Sequence, residues 1–306
     1  MKWTKKGLVY EPPFDGTWRD NSALTPTAFL LNNDVIRVFS SFRDNKGTGR
    51  IGFVDVSAHN PFVVLKVSEK PVLDVGDPGM FDDAGVILGD VIRVGEKVHM
   101  YYVGFQIVNN VKFLAFTGLA ISHDNGDSFK RYVNTPVMDR KNEALYIRAI
   151  HSVIYEDNKF KIWYATGSGW ENIEGIDYPQ YDINYVESID GITFPDYGLK
   201  CIGNDKNNLE YRIGRPRVYK KLDEYIMNFT YGTVDGRYKA GQASSTDGIN
   251  WIRDDIELGI TLSEDGWDSK HLSYPSVLTV NSNKTYMFYN GNDMGLQGFG
   301  YAELIE

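Results

Sequence analysis

The sequence predicts an all-β protein, a five-bladed β-propeller whose N-terminal strand completes the last blade. Three observations carry this. Aromatic-rich segments recur at a near-constant spacing, a Ser-x-Asp turn recurs between later strands, and the opening residues have the pattern of a strand that the last repeat lacks. The segments are Val35-Ile36-Arg37-Val38-Phe39, Val98-His99-Met100-Tyr101-Tyr102, Phe160-Lys161-Ile162-Trp163-Tyr164, Tyr225-Ile226-Met227-Asn228-Phe229 and Thr285-Tyr286-Met287-Phe288-Tyr289. Their last aromatic residues are separated by 63, 62, 65 and 60 residues. A period this regular in β-prone sequence points to a radial repeat.

Each segment follows another strand-like run, at 26–31, 89–94, 151–155, 216–219 and 275–280. A turn residue followed by a β-branched run suits an innermost strand. A third strand follows each segment, at 50–56, 117–122, 182–188, 239–245 and 298–304. The connection to a fourth strand repeats as Ser122-His123-Asp124-Asn125-Gly126, Ser188-Ile189-Asp190-Gly191 and Ser245-Thr246-Asp247-Gly248. Gly supplies the positive φ of a tight turn and Asp bonds the turn amides, so turn chemistry accounts for these aspartates. Fourth strands end near Val72, Val137, Cys201 and Ile260, and the fifth unit stops after three strands. Trp3 to Tyr10 matches the fourth-strand pattern of Trp251 to Leu258, so it is expected to supply the missing strand and cover that edge. The expected units of the single 1–306 domain are 24–75, 85–139, 147–203, 213–262 and 272–306, with 1–11 as the closing strand.

Bulk properties narrow the function. The chain is 42% hydrophobic and 14% aromatic, with 20 Tyr and 6 Trp, which suits strands and sugar-stacking surfaces. A net charge of −9 without a Lys/Arg cluster argues against nucleic acid as a partner. Cys201 is the single cysteine, which excludes an intrachain disulfide. No apolar run approaches the ~18 residues of a membrane span, and Met1-Lys2-Trp3-Thr4-Lys5-Lys6 does not lead into a signal-peptide core. The expectation is a soluble, cytoplasmic protein with no membrane partner and no required cofactor or metal. The sequence leaves the oligomeric state open.

A propeller gathers the loops entering its innermost strands, and those joining its second and third strands, at one mouth. Unit one brings Arg19, Asp20, Arg43 and Asp44 there, and unit two brings Asp82 and Asp83. Unit three brings Arg148, His151 and Trp170, and unit four brings Glu210, Arg212 and Arg215. Unit five brings Trp267, Asp268, His271 and Tyr274. Carboxylates from different units suit general acid and base roles across a glycosidic bond. Aromatic rings suit stacking on sugar faces. The arginines exceed what a neutral sugar needs and point to an anionic group on the ligand.

The repeat, the Asp-box-like turns and the closing strand resemble the five-bladed propeller glycosidases, glycoside hydrolase families 32, 43 and 68, and the family 130 phosphorylases. The resemblance covers essentially the whole chain. Gly79-Met80-Phe81-Asp82-Asp83-Ala84-Gly85-Val86 and Gly266-Trp267-Asp268-Ser269 also look like proteins described as family 32- or 43-like. The resemblance implies a sugar-active enzyme. It also implies an Asp before Pro26, an Asp entering unit three and a Glu before Pro216, where this chain has Thr25, Ile150 and Gly214-Arg215. The Asn-Asp-Pro-Asn opening of family 32 and the Asp-Pro-Arg of family 130 are absent. With those positions vacant of acid, Asp83 and Glu210 are the leading catalytic candidates and Asp20 the third. Three readings follow: a hydrolase of a charged or decorated glycan, a phosphorylase or transferase in which arginines and His151 or His271 hold phosphate, and a non-catalytic glycan-binding propeller.

Overall fold

The computed structural model describes residues 2–236, 238–281 and 284–305. They form an all-β chain. Strand β1 is Trp3–Tyr10. The first sheet is β2 (Asn21–Asn32), β3 (Val35–Arg43), β4 (Gly49–Ser57) and β5 (Val64–Val67). Next come β6 (Gly85–Val94), β7 (Lys97–Gln106), β8 (Leu114–Ser122) and β9 (Lys130–Arg131). They are followed by β10 (Ile147–Glu156), β11 (Lys159–Ile173), β12 (Ile176–Ser188) and β13 (Leu199–Ile202). These two antiparallel runs make one eight-stranded sheet, joined only where β10 pairs in parallel with β8 at Ile147 and Arg148. A third sheet holds β14 (Glu210–Lys221), β15 (Glu224–Thr233), β16 (Tyr238–Ser245) and β17 (Ile252–Arg253). The last holds β18 (Ser273–Asn281), β19 (Lys284–Asn290), β20 (Phe299–Leu304) and β1.

The five aromatic-rich segments lie in β3, β7, β11, β15 and β19, the second strand of each run. Their central residues are buried because they face the neighbouring sheet. Phe29, Phe39 and Phe53 pack with Val86, Leu88 and Tyr102; Trp163 and Ile183 pack with Met227 and Phe229. The last sheet packs on the first in the same way, through Tyr286, Phe288 and Tyr301 against Ile36, Val38 and Val54. The first strands of the runs touch in succession, β2 with β6, β6 with β10, β10 with β14, β14 with β18, and β18 with β2.

The recurrent turns act as the sequence suggests. Asp190 accepts from the amides of Ile192 (2.8 Å) and Thr193 (2.7 Å), and Asp247 from those of Ile249 and Asn250 (both 2.8 Å). The turn glycines then serve the neighbouring run of strands. Tyr101 Oη donates to the Gly191 carbonyl (2.9 Å) and Trp163 Nε1 to the Gly248 carbonyl (2.8 Å). Fourth strands are shorter than the sequence suggests. Val72 and Val137 lie outside regular strands, and beyond β17 the Asp254 carboxylate accepts from the Ile256 amide and starts a 3₁₀ turn at Asp255–Leu258.

Strand β1 pairs antiparallel with β20, from Trp3 opposite Leu304 to Tyr10 opposite Phe299. Trp3 and Tyr10 are buried, and Tyr10 packs on Phe42 of β3 (ring centroids 5.5 Å apart) as well as on Phe299 (5.9 Å). Lys5 Nζ reaches Asp268 at 2.7 Å. Burial of two aromatic side chains is worth about 5 kcal/mol. Deleting residues 1–11 is therefore expected to lower Tm by about 10 °C or more in a thermal melt; an unchanged Tm contradicts the role of β1.

Glu156 of β10 accepts hydrogen bonds from Lys161, Lys220 and Tyr225, linking the β10 and β14 runs. Burial opposes its ionisation, but these hydrogen bonds outweigh it and hold the carboxyl at about 2. A depressed folded-state pKa stabilises above the unfolded value near ~4.3 and is lost as pH falls toward 2. Urea midpoints between pH 7 and pH 2.5 should fall more steeply for the native chain than for Glu156→Gln, with roughly 1 kcal/mol between them at pH 7 after solvent screening. Parallel curves contradict this.

Candidate functional site

Each innermost strand breaks register at the same depth. The breaks fall at Leu24/Thr27, Leu88/Asp90, Ile150/Ser152, Gly214/Arg217 and Ser273/Ser276. The bulges sit at Thr25, Gly89, His151, Arg215 and Tyr274. Thr25, Arg215 and Tyr274, each before a proline, have left-handed φ of 54°, 55° and 55°. Such backbone costs on the order of 1 kcal/mol per residue and persists where surrounding packing enforces it. Gly89 answers a different demand: a Cβ there would lie 2.3 Å from the Ile150 carbonyl oxygen. The five residues converge on a small niche, about 10 Å³, which Arg217 also lines.

A buried polar network fixes this floor. Arg217 donates to Asp90 Oδ1 (2.7 Å) and to the His151 carbonyl (3.1 Å), while Asp90 Oδ2 accepts from the Val153 amide (2.7 Å). Arg215 donates to the Leu88 carbonyl (2.6 Å) and lies 3.3 Å from His151 Nδ1. Burial, and then the charges of Arg215 and Arg217, hold the imidazole pKa well below its ordinary value, so His151 is neutral at physiological pH. A ring nitrogen facing a guanidinium accepts, which leaves the proton on Nε2.

Above the floor opens a cavity of about 340 Å³, contiguous with it through His151, Arg215 and Tyr274. Arg43 enters from the end of β3, Lys112 from the β7–β8 connection, Tyr178 and Tyr181 from β12, Arg212 from β14 and Tyr238 from β16. Phe105, Phe113 and Ile87 give it an apolar wall. Among the described residues, the lining contains no Asp or Glu. The Arg212 guanidinium lies 4.8 Å from the Tyr238 ring centre and 4.9 Å from that of Tyr211, and Tyr274 Oη donates to Tyr238 Oη (3.3 Å). Burial raises the pKa of Tyr181, Tyr238 and Tyr274, so their hydroxyls stay protonated and can donate. Among the described residues, Arg43, Lys112, Arg212 and Arg215 form no ion pair. The electrostatic neighbours of Arg212 and Arg215 are tyrosines and Arg217. Unpaired cations with phenolic donors in a partly dry cavity suit an anion.

Of the residues expected at the mouth, the structure brings Arg43, His151, Arg212, Arg215 and Tyr274 together around this cavity. It places the carboxylates elsewhere. Asp83 accepts from the Gly79 amide (2.8 Å) in its own loop, and Asp82 is fully buried against Arg131 (2.7 Å). Glu210 is buried, paired in two-pronged fashion with Arg253 (2.7 and 3.0 Å). Asp20 accepts from the Gly16 amide, and Asp44 from the amides of Lys46 and Thr48 and from Arg50. Arg19 lies beside Tyr10. Arg148 is buried and donates to the Pro195 carbonyl (2.7 Å). Trp170 packs behind Phe113 (5.3 Å), and Trp267 stacks on Tyr289 (5.0 Å). Asp268 accepts from Tyr289 Oη (2.9 Å) and pairs with Lys5, and His271 Nδ1 accepts from the Asp293 amide (3.3 Å). Lys112, Tyr178, Tyr181 and Tyr238 escaped the sequence reading; the signal was the tyrosine density of Tyr178-Pro179-Gln180-Tyr181.

No group of three or more His, Cys, Asp or Glu side chains is placed to hold a metal ion among the described residues, and none of their helices is long and apolar enough to cross a membrane.

No family model matches the chain. It is 30% identical over 307 residues to "Uncharacterized protein Rv1502" of Mycobacterium tuberculosis (strain ATCC 25618 / H37Rv), covering 99% of each. Solved structures share its fold at lower identity. A structure described as a "Glycoside hydrolase" superposes with a TM-score of 0.71 at 17% identity, over 99% of this chain and 91% of that one. A structure from work on the GH130 family of mannoside phosphorylases, containing glycoside hydrolases that target β-1,2-mannosidic linkages in Candida mannan, gives 0.68 at 14% identity, over 98% and 93%. A glycosyl hydrolase from Bacteroides ovatus gives 0.66 at 14% identity, over 98% and 94%. The fold is that of the glycoside hydrolase-like β-propellers.

The floor network makes a testable demand. Arg217→Met leaves the Asp90 carboxylate buried without its cation, and the loss expected in chemical denaturation is about 3 kcal/mol. Asp90→Asn combined with Arg217→Met should recover part of that loss; purely additive losses contradict direct pairing.

Proposed function

As a member of the family that includes the Uncharacterized protein Rv1502 of Mycobacterium tuberculosis, this chain is, we propose, a carbohydrate-binding propeller of the glycosidase type whose mouth cavity takes a saccharide carrying an anionic group. The cavity carries the proposal: Arg43, Lys112, Arg212 and Arg215 converge on it with four tyrosines and no carboxylate among the described residues. Guanidinium groups match planar or tetrahedral oxyanions, protonated phenols donate to hydroxyls and ring oxygens, and aromatic faces pack on the C–H faces of a sugar.

Five blades in one closed ring are part of the same proposal, with units 24–75, 85–139, 147–203, 213–262 and 272–306 and closing strand 1–11. Positions 1 and 306 lie outside the described residues. The succession of contacts among β2, β6, β10, β14 and β18, and the packing of the last sheet on the first, support it. So does the pairing of β1 with β20. A cytoplasmic setting is likewise proposed.

Hydrolysis by paired carboxylates needs two acids roughly 5 to 9.5 Å apart across the bond. The described cavity lining supplies none, and Asp83, Glu210 and Asp20 are engaged by loop amides or by Arg253. Recognition of an anionic saccharide is therefore favoured over acid–base hydrolysis by those three residues. The same cations favour a second reading, in which inorganic phosphate sits beside the sugar as the attacking group.

Calorimetric titration with matched neutral and uronic-acid oligosaccharides tests the proposal. The native chain should bind the acidic members selectively, and Arg43→Met and Arg212→Met should each weaken binding about ten- to 100-fold. Equal binding of neutral ligands sinks it. Product formation that appears only with added phosphate selects the phosphorylase reading. Turnover without phosphate that is abolished in Asp83→Asn or Glu210→Gln returns catalysis to those carboxylates.

A further inference from the structure

A second, polar pocket of about 230 Å³ lies on the other face of the β11–β12 hairpin, sharing Tyr181 with the mouth cavity. Alternation along β11 separates the two: Ala165 lines the mouth cavity and Thr166 lines the second pocket. The register break between Thr166 and Gly169 leaves Ser168 exposed at its rim. The pocket is smaller than the roughly 300–1,000 Å³ of drug-sized ligand sites, which gives room for one sugar unit rather than a chain.

Its lining is rich in paired donors and acceptors. Asp182 Oδ2 pairs with Lys200 (2.7 Å), which neutralises both charges, and its Oδ1 accepts from the amide (3.0 Å) and Nδ2 (2.8 Å) of Asn204. Asn204 Nδ2 also donates to the Tyr181 carbonyl (3.1 Å), and the exposed Ser168 supplies a hydroxyl, donor and acceptor at once, that a ligand hydroxyl can meet. Gln180, whose side-chain amide donates to Glu171, and Lys206 complete the lining. Neutral hydroxyl groups, which donate and accept at once, match this mixture better than an ion does.

We infer that this pocket is a second saccharide subsite, taking a neutral, hydroxyl-rich sugar unit linked to the anionic unit in the mouth cavity, with the glycan crossing over Tyr181. The inference rests on the anionic-saccharide reading of the mouth. The acidic ligand is then at least a disaccharide, and the long β11–β12 hairpin divides its two units.

The test measures Kd for glucuronate and for a set of acidic di- and trisaccharides, each a glucuronate joined to neutral hexoses through a different linkage. The native chain, Gln180→Ala and Lys206→Ala are compared. At least one oligosaccharide should bind the native chain about tenfold or more tighter than glucuronate, and both variants should erase most of that gain. Their affinity for glucuronate itself should stay within about twofold, which also reports that they are folded. Glucuronate binding without any gain on lengthening, or a gain untouched by both variants, overturns the subsite and leaves the mouth reading standing. Failure of every acidic ligand, glucuronate included, overturns both.

Discussion

The rest of the structure depends on the break in each innermost strand. The first strands of the runs touch in succession, and at position 89 any side chain would strike the neighbouring backbone, 2.3 Å from the Ile150 carbonyl oxygen. The chain meets that constraint at one depth in every repeat, with a glycine at position 89 and left-handed backbone at Thr25, Arg215 and Tyr274. The strain is local, and Asp90 and Arg217 stitch the kinked strands together beside it. Because the bulged residues line one niche, the same backbone event that lets the strands approach also chooses which side chains form the floor of the cavity.

Those side chains set the electrostatics. The chain as a whole carries −9, yet its mouth cavity presents four cations and no carboxylate among the described residues. A local field of opposite sign to the net charge is focused by low-dielectric walls, here Phe105, Phe113 and the tyrosine rings. Glycosidase-type propellers host more than one chemistry on one backbone, and the site rather than the fold decides which. Here the positions where the resemblance implies acids hold Thr25, Ile150 and Gly214-Arg215, and the bulges beside them bring His151 and Arg215 to the niche at the cavity floor. The scaffold is retained while the polarity of its centre differs from what the resemblance implies.

Much of the scaffold was legible in the sequence because its signals are local. Strand alternation, an aromatic every sixty-odd residues and the Ser-x-Asp turn are each written within a few positions, and the match of Trp3–Tyr10 to a missing strand needed only the count of strands per repeat. Arg43, His151, Arg212, Arg215 and Tyr274 were legible because they stand at the entrance to an innermost strand or just after a second one. The carboxylates were not separable into free and engaged. Asp82 and Glu210 have partners 49 and 43 residues away, in Arg131 and Arg253, and no periodicity reports such a pairing. Tyr178 and Tyr181 were missed because they reach the mouth only through a hairpin whose strands run 15 and 13 residues, far beyond the short strands the repeat suggests.

The most direct measurement of the central claim compares one ligand in two charge states: a hexuronic acid oligosaccharide and its carboxamide, titrated into the same protein at the same ionic strength. If the cavity recognises the anion, the acid binds at least about tenfold tighter than the amide, and the difference disappears in Arg212→Met. Equal affinities for acid and amide in the native chain would contradict the account.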